Sequence, residues 1–289
     1  MRLDTLTEAL REYRGTVALI GFPFDHNSSY LRGSALAPSA IRSAFYSDSS
    51  NLWTESGINL GEPAQFLDAG DLEATDDSAL AGIAQCVSVL LDRGVRPVCL
   101  GGDHSVTYPI LQGFKKRIHP LTILHFDAHP DLYDNFEGNP HSHASPFARI
   151  LENGLATRLV QVGIRTMNRH QREQAKRFGV EVHEMKDWGN GTTLDFDTPV
   201  YISFDLDSLD PAFAPGVSHP EGGGLSTREV VSIIQKLKVP IAGADIVELN
   251  PTRDPLSISA HACAKILKEL LGKALEPTSH MKGLDSTGR

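Results

Sequence analysis

The sequence predicts an α/β protein of three layers, α/β/α, built on one mostly parallel central sheet. Three observations carry that expectation. Short, nearly all-apolar β-rich runs alternate with helix-like stretches, the pattern of strands covered on both faces by crossover helices. The residues able to do chemistry cluster where several of these runs end, which is where open α/β sheets bind ligands. No linker, repeat or low-complexity block interrupts the 289 residues. A single domain over residues 1–272 is therefore expected, and the polar stretch 273–289, without helical periodicity, reads as a disordered tail.

The elements follow in order. "TVALIGF" (16–22) is a strand, and "APSAIRSAFY" (37–46) is a helix opened by Pro38, a residue suited to a first helical turn. "ALAGIAQCVSVLLDRG" (79–94) is an apolar-faced helix stopped at Gly94. "RPVCLGG" is a strand, followed by a helix from about Ser105 to Lys116. "LTILHFD", "RLVQVGIR" (158–165) and "PVYISFDLD" (199–207) are strands. "STREVVSIIQKLK" (226–238) is a helix with Ser226 or Thr227 as its cap. "PIAGADIVELN" (240–250) is a strand, and "SISAHACAKILKELLG" (257–272) is the closing helix.

A net charge of -9 and a pI near 5.7 argue against nucleic acid or an anionic membrane surface as partner, and suit a cationic small substrate. No apolar run is long enough to span a bilayer, and "MRLDTLTEALREYRG" has no apolar signal core. The three cysteines, Cys86, Cys99 and Cys263, have no paired spacing and read as buried hydrophobes in a reducing compartment. A cytoplasmic protein is expected.

Four strands end in acidic or histidine-bearing loops: "PVCLGGDHS", "TILHFDAHPD", "YISFDLDSLDP" and "AGADIVELNP". His104, Asp127, His129, Asp131, Asp205, Asp207 and Glu248 should therefore share one rim. Asp103 alone, or Asp210 before Pro211, would be an ordinary cap or turn residue. Asp127-x-His129-x-Asp131 differs, because extended geometry past the strand end would turn all three to one side. Asp205-x-Asp207 repeats the device. Clustered carboxylates repel one another unless cations intervene. Two divalent metals, balanced by four Asp carboxylates and completed by imidazoles, resolve the conflict. Oxygen-rich ligands without thiolate favour Mn²⁺ over Zn²⁺, with Co²⁺ or Ni²⁺ also suited.

"GGDHS", "DAHPD" and "SFDLDSLDPAFAPG" together resemble the ureohydrolase (arginase/agmatinase) family of binuclear manganese enzymes, in that family's order, over roughly residues 16–271. "DHNSSYLRGSALAPSAIR", "FEGNPHSHASPFARI", "VGIRTMNRHQREQAKRFGVEVHEM", "APGVSHPEGGGLSTRE" and "DIVELNPTRD" resemble its plant-arginase branch and bacterial relatives. The resemblance implies an arginase-like fold with one metal on His104, Asp127, Asp131 and Asp205. The other would sit on His129, Asp127, Asp205 and Asp207, so that Asp127 and Asp205 bridge. It further implies a water, deprotonated between two dications near neutral pH, that attacks the guanidinium carbon and releases urea and an amine.

By the same resemblance His143 matches a mobile catalytic histidine that shuttles protons. Glu248 matches the carboxylate that grips the guanidinium, and Asp131 belongs to the catalytic set as well as to the ligands. Asp245 and Asp103 take supporting parts, and His125 is a packed or supporting histidine. His141 is a loop residue in solvent, and His219 lines the pocket mouth. A homo-oligomer, trimer or hexamer, is implied.

Tyr133 and Asn168 stand where animal-type arginases, which read the α-carboxylate and α-amino group, carry Asn and Asp. A site lacking such readers loses discrimination for an amino acid, so agmatine is favoured slightly as substrate, with Asn168 among the substrate contacts. L-Arginine is the alternative, because plant arginases share this loop. A metal-dependent deacetylase shares this fold type, but the run of guanidine-site motifs argues against it; guanidinobutyrate, formiminoglutamate and a non-catalytic binding homologue are further options. The last would require lost ligands, and all six are present.

Overall fold

Eight strands pair into one sheet in the computed structural model, which describes residues 1–73, 79–115, 117–189 and 191–277. They are β1 (Val17–Gly21), β2 (Leu67–Asp71), β3 (Arg96–Leu100), β4 (Thr122–Phe126), β5 (Arg158–Ile164), β6 (Glu181–Glu184), β7 (Val200–Asp205) and β8 (Ile241–Val247). Their spatial order is β2-β1-β3-β8-β7-β4-β5-β6, and every pairing is parallel. The helices are α1 (Leu3–Glu12), α2 (Ala37–Phe45), α3 (Ala79–Asp92), α4 (Thr107–Phe114), α5 (Pro146–Glu152), α6 (Arg169–Phe178), α7 (Thr227–Lys236) and α8 (Ile258–Leu275).

Alternation along each strand divides the core in two. Val17, Leu19, Leu124, Phe126, Ile202 and Phe204 face α2, α7 and α8, meeting Ile41, Val230 and Leu267 among others. Ala18, Ile20, Cys99, Ile123 and Tyr201 face α1, α3, α4 and α5, where Leu6, Ile83, Ile110 and Phe147 pack. Both faces are covered, so the six inner strands are largely apolar, as a doubly covered parallel sheet requires.

α7 opens on a capping box in which Ser226 accepts from the Glu229 backbone and Glu229 reaches back to Ser226. α4 is preceded by a 3-10 turn at His104–Val106 and ends at Phe114; Lys116 lies outside the described residues. α8 continues through residues 273–275, the start of the expected tail, and Ala274 in that stretch is fully buried. Residues 278–289 lie outside the described residues.

Candidate active site

The four strands with polar ends, β3, β8, β7 and β4, turn out to be the adjacent central strands of the sheet. Their carboxyl ends therefore open side by side. Register sets a polar row just beneath, with His125 opposite Ser203 and Ser203 opposite Asp245.

"GGDHS" turns off β3 in a tight space. A side chain on Gly102 would overlap the Phe24 carbonyl, so only glycine lets this loop approach the one after β1. Asp103 caps the following turn by accepting from Ser105 N at 3.0 Å, and its other oxygen accepts from Asn27 N at 2.9 Å. "DAHPD" does not continue the strand. Asp127 follows its end, and Asp131 has a left-handed φ of 50°. The convergence comes from a folded loop, not from extended periodicity. Glu248, just after β8, likewise has a φ of 64°. Such non-glycine conformations cost energy and are held by surrounding contacts.

Two donor sets result. His104 Nδ1 lies 3.2 Å from Asp127 Oδ2, 3.1 Å from Asp131 Oδ2 and 3.1 Å from Asp205 Oδ2. His129 Nδ1 lies 3.1 Å from Asp207 Oδ2 and 3.4 Å from Asp127 Oδ1. Asp127 thus offers one oxygen to each set, while Asp205 Oδ1 accepts from Asp207 N at 2.9 Å. Donors bound about 2.1 Å from one ion at right angles sit about 3 Å apart, which is the spacing found.

The hydrogen bonds fix the imidazoles. Ser203 donates to Asp245 Oδ1 at 2.8 Å, so it accepts from His104 Nε2 at 3.0 Å. Asp245 also accepts from Thr107 Oγ1 and Tyr201 Oη, at 2.9 and 2.7 Å. With its proton on Nε2, His104 turns Nδ1 toward three carboxylates, and that buried atom has no hydrogen-bond partner among the described residues. One proton there would serve a single oxygen, whereas a divalent cation serves all four donors. His125 is different. Gln161 donates to Pro130 O and to His125 Nδ1, leaving His125 Nε2–H to donate to Asp127 Oδ2 at 2.8 Å. Both its nitrogens are engaged, so it steadies Asp127 and has no lone pair left to offer a cation.

Electrostatics agree with the need for cations. Burial, and then Asp207 and Asp127, push the Asp205 carboxyl well up, and burial raises Asp207 to about 6. Burial opposes charge on His129, but the Asp207 and Asp127 carboxylates push it up to about 12. Protons are held where charge is unbalanced.

Above the donors opens a cavity of about 220 Å³, lined by His129, Asp131, Asp205 and Asp207 below and by His143, Glu248, Ser29, His219, Tyr133 and Gln171 around. His143 Nδ1 lies 3.0 Å from Glu248 Oε1, an oxygen that also accepts from His104 N at 2.9 Å. His219 stands at the mouth, its ring 5.2 Å from that of His143. Asn168 is exposed and caps α6, accepting from Gln171 N at 2.9 Å and donating to Tyr133 Oη at 2.6 Å. It does not line the cavity; Gln171 and Tyr133 do. His141 is exposed beside Tyr108, and Asp210 accepts three turn amides.

Sequence reasoning missed Ser29, whose hydroxyl lies 2.8 Å from His143 Nε2. The polar run "DHNSS" after β1 carried a signal, since the rule that placed the other loops applies to it equally.

The fold and these donors define a candidate divalent-metal centre at the carboxyl ends of a parallel sheet. A family model described as "Arginase family" matches residues 15–272. "Arginase 1, mitochondrial" of Arabidopsis thaliana is 44% identical, over 93% of this chain and 84% of that protein. The solved structure "Arginase from Medicago truncatula" matches with a TM-score of 0.85 at 43% identity, covering 94% of this chain and 92% of that one. "Agmatinase" of Bacillus subtilis (strain 168) is 31% identical over 88% of this chain and 90% of that protein. The chain belongs to the arginase family. It is a metal-dependent ureohydrolase that acts on guanidino C–N bonds.

One expectation falls here. The cytoplasmic assignment is overturned by a relative at 44% identity that is named a mitochondrial protein. Its physical basis was narrow: the lack of an apolar signal core speaks against secretion and says nothing of other compartments.

Proposed function

We propose that this protein is an arginase, hydrolysing L-arginine to L-ornithine and urea on a pair of Mn²⁺ ions. The observation that carries the reading is the graded likeness: 44% identity to a protein named arginase, against 31% to one named agmatinase, over similar shares of the chain. The agmatine preference inferred from Tyr133 and Asn168 loses to it. Tyr133 Oη and the Gln171 amide offer neutral polar groups at the cavity wall, and such groups can hold an amino acid end as charged readers do. The organelle in that relative's name supports an organellar setting.

In this reading His104, Asp127, Asp131 and Asp205 hold one cation, and His129, Asp127, Asp205 and Asp207 the other. Bound there, the cations supply Lewis-acid activation of water. Glu248 offers its carboxylate to the planar guanidinium, whose paired N–H donors it matches. A carboxylate only accepts, so His143 keeps a proton on Nδ1 toward Glu248 and exchanges protons through Nε2. Asn168 sets the Tyr133 hydroxyl from outside, and His219 narrows the mouth.

The test is urea release from L-arginine and agmatine, side by side, on Mn²⁺-loaded protein with a chelated control. A kcat/KM favouring arginine by about tenfold or more supports the reading. Preference for agmatine overturns it.

A further inference from the structure

His143 has two ring nitrogens, and each has one partner among the described residues. Nδ1 faces Glu248 Oε1 at 3.0 Å, and Nε2 faces the Ser29 hydroxyl at 2.8 Å. Because Nδ1 must donate to the carboxylate, Nε2 carries the lone pair of the neutral ring and accepts from Ser29 O–H. Ser29 is exposed at the cavity mouth, while His143 is buried. The hydroxyl therefore stands between the working nitrogen of the histidine and water.

Ser29 is not free to wander, although it sits on a loop. The preceding residue but one, Asn27, donates its backbone N–H to Asp103 Oδ2 at 2.9 Å, and Asp103 is fully buried. Asn27 Nδ2 donates to Ser105 Oγ at 3.1 Å, and its Oδ1 accepts from Asn139 Nδ2 at 3.1 Å. Its carbonyl accepts from the His143 backbone N–H at 3.2 Å. On the far side, Asp25 Oδ2 accepts from Gly33 N at 2.8 Å. The loop after β1 is thus tied to both the loop after β3 and the loop that carries His143. A clamp of this kind holds a small hydroxyl at hydrogen-bond distance from one nitrogen.

We propose that Ser29 is a positioning residue for His143, fixing the ring orientation and relaying protons between Nε2 and bulk water. The relay balances simply. When the imidazolium gives up its Nε2 proton, Ser29 Oγ accepts it and releases its own hydroxyl proton to water; the reverse sequence reprotonates the ring. Serine is unchanged and no other reactant is needed. Asp103, deep below, contributes by holding the loop that carries the hydroxyl.

The inference rests on the ureohydrolase reading, and the experiment separates the two. Ser29→Thr and Ser29→Val have nearly the same shape and differ in the hydroxyl. Both are assayed on the substrate the wild type turns over fastest, with Mn²⁺ content and KM measured in parallel. The Thr variant is expected within about threefold of wild-type kcat. The Val variant is expected to lose about tenfold or more in kcat, a low value for an impaired proton transfer, with KM and metal content unchanged. The Val rate should also climb with buffer concentration at fixed pH, as a mobile buffer replaces the lost relay. Equal rates for Thr and Val, or a loss appearing in KM or metal content instead of kcat, overturn the proposal. If Val does not fold, Ser29→Cys, with its weak thiol donor, takes its place against Thr. No urea from the wild type on any guanidino substrate would instead sink the ureohydrolase reading itself.

Discussion

The two halves of the donor cluster are built differently. On the His104 side the imidazole is fully buried, and behind it run Ser203, Asp245, Thr107 and Tyr201, anchored on the central strands and the first turn of α4. On the other side His129 has 30% of its side chain exposed, and Asp207 is steadied by one backbone donor, Ala128 N at 3.1 Å. The His104 imidazole is backed by the sheet, whereas His129 and Asp207 are carried by loops at the cavity wall. A burial difference of this size separates a part of the fold from a part of the site. Removing a donor from the first should be felt by the whole protein, and removing one from the second mainly by the bound ions.

Asp127 belongs to both halves, so its loss should erase the distinction. Asp127→Asn removes charge from each set and leaves His125 facing a neutral amide. Activity is expected to fall to background with both metals lost, as read by urea release and metal analysis on the same sample. Retention of one equivalent of metal would mean that Asp127 serves one half alone.

The next effect divides the halves. His104→Ala leaves three buried carboxylates and a serine facing a void, whereas His129→Ala opens space already reached by solvent. In metal-free protein the melting temperature should drop by several degrees for His104→Ala and by less than about 2 °C for His129→Ala, given roughly 2–4 °C per kcal/mol at this size. Equal drops would show that burial does not separate the two sides.

The same contrast between interior and rim explains what could be read from the sequence. All six inner strands were visible as apolar runs, because both of their faces are covered. The two edge strands were not. "LDAGD" is half-buried along its whole length, and "EVHE" runs from exposed to half-buried, so neither shows the uninterrupted apolarity that marked the others. α6 escaped for a related reason, since "RHQREQAKRF" buries only Gln171, Gln174 and Ala175. The polar strand ends were visible because charges beside an apolar run need a cause. Ser29 and Gln161 carry no charge to explain, and their parts exist only through neighbours far along the chain.

The smallest effect concerns such an edge. β6 is tied to α6 by Glu184, whose oxygens accept from Arg172 Nη1 and Nη2 at 2.8 and 2.9 Å, with Lys186 Nζ at 3.2 Å. Hydrogen bonding from Arg172, then from Lys186, outweighs slight burial and lowers the Glu184 pKa to about 2. A depressed carboxylate stabilises fully above its unfolded value, about 4.5, and the contribution disappears as pH falls toward the folded value. Glu184→Gln should therefore melt lower than the wild type at pH 7, and the gap should narrow steadily below about pH 4.5. The pair is half-exposed and screened, so the gap at pH 7 should be about 1–2 °C and should shrink in high salt. A gap that survives acid or salt would mean that Glu184 acts through packing. The edge would then be held as the interior is, and the line drawn here between rim and core would need to move outward.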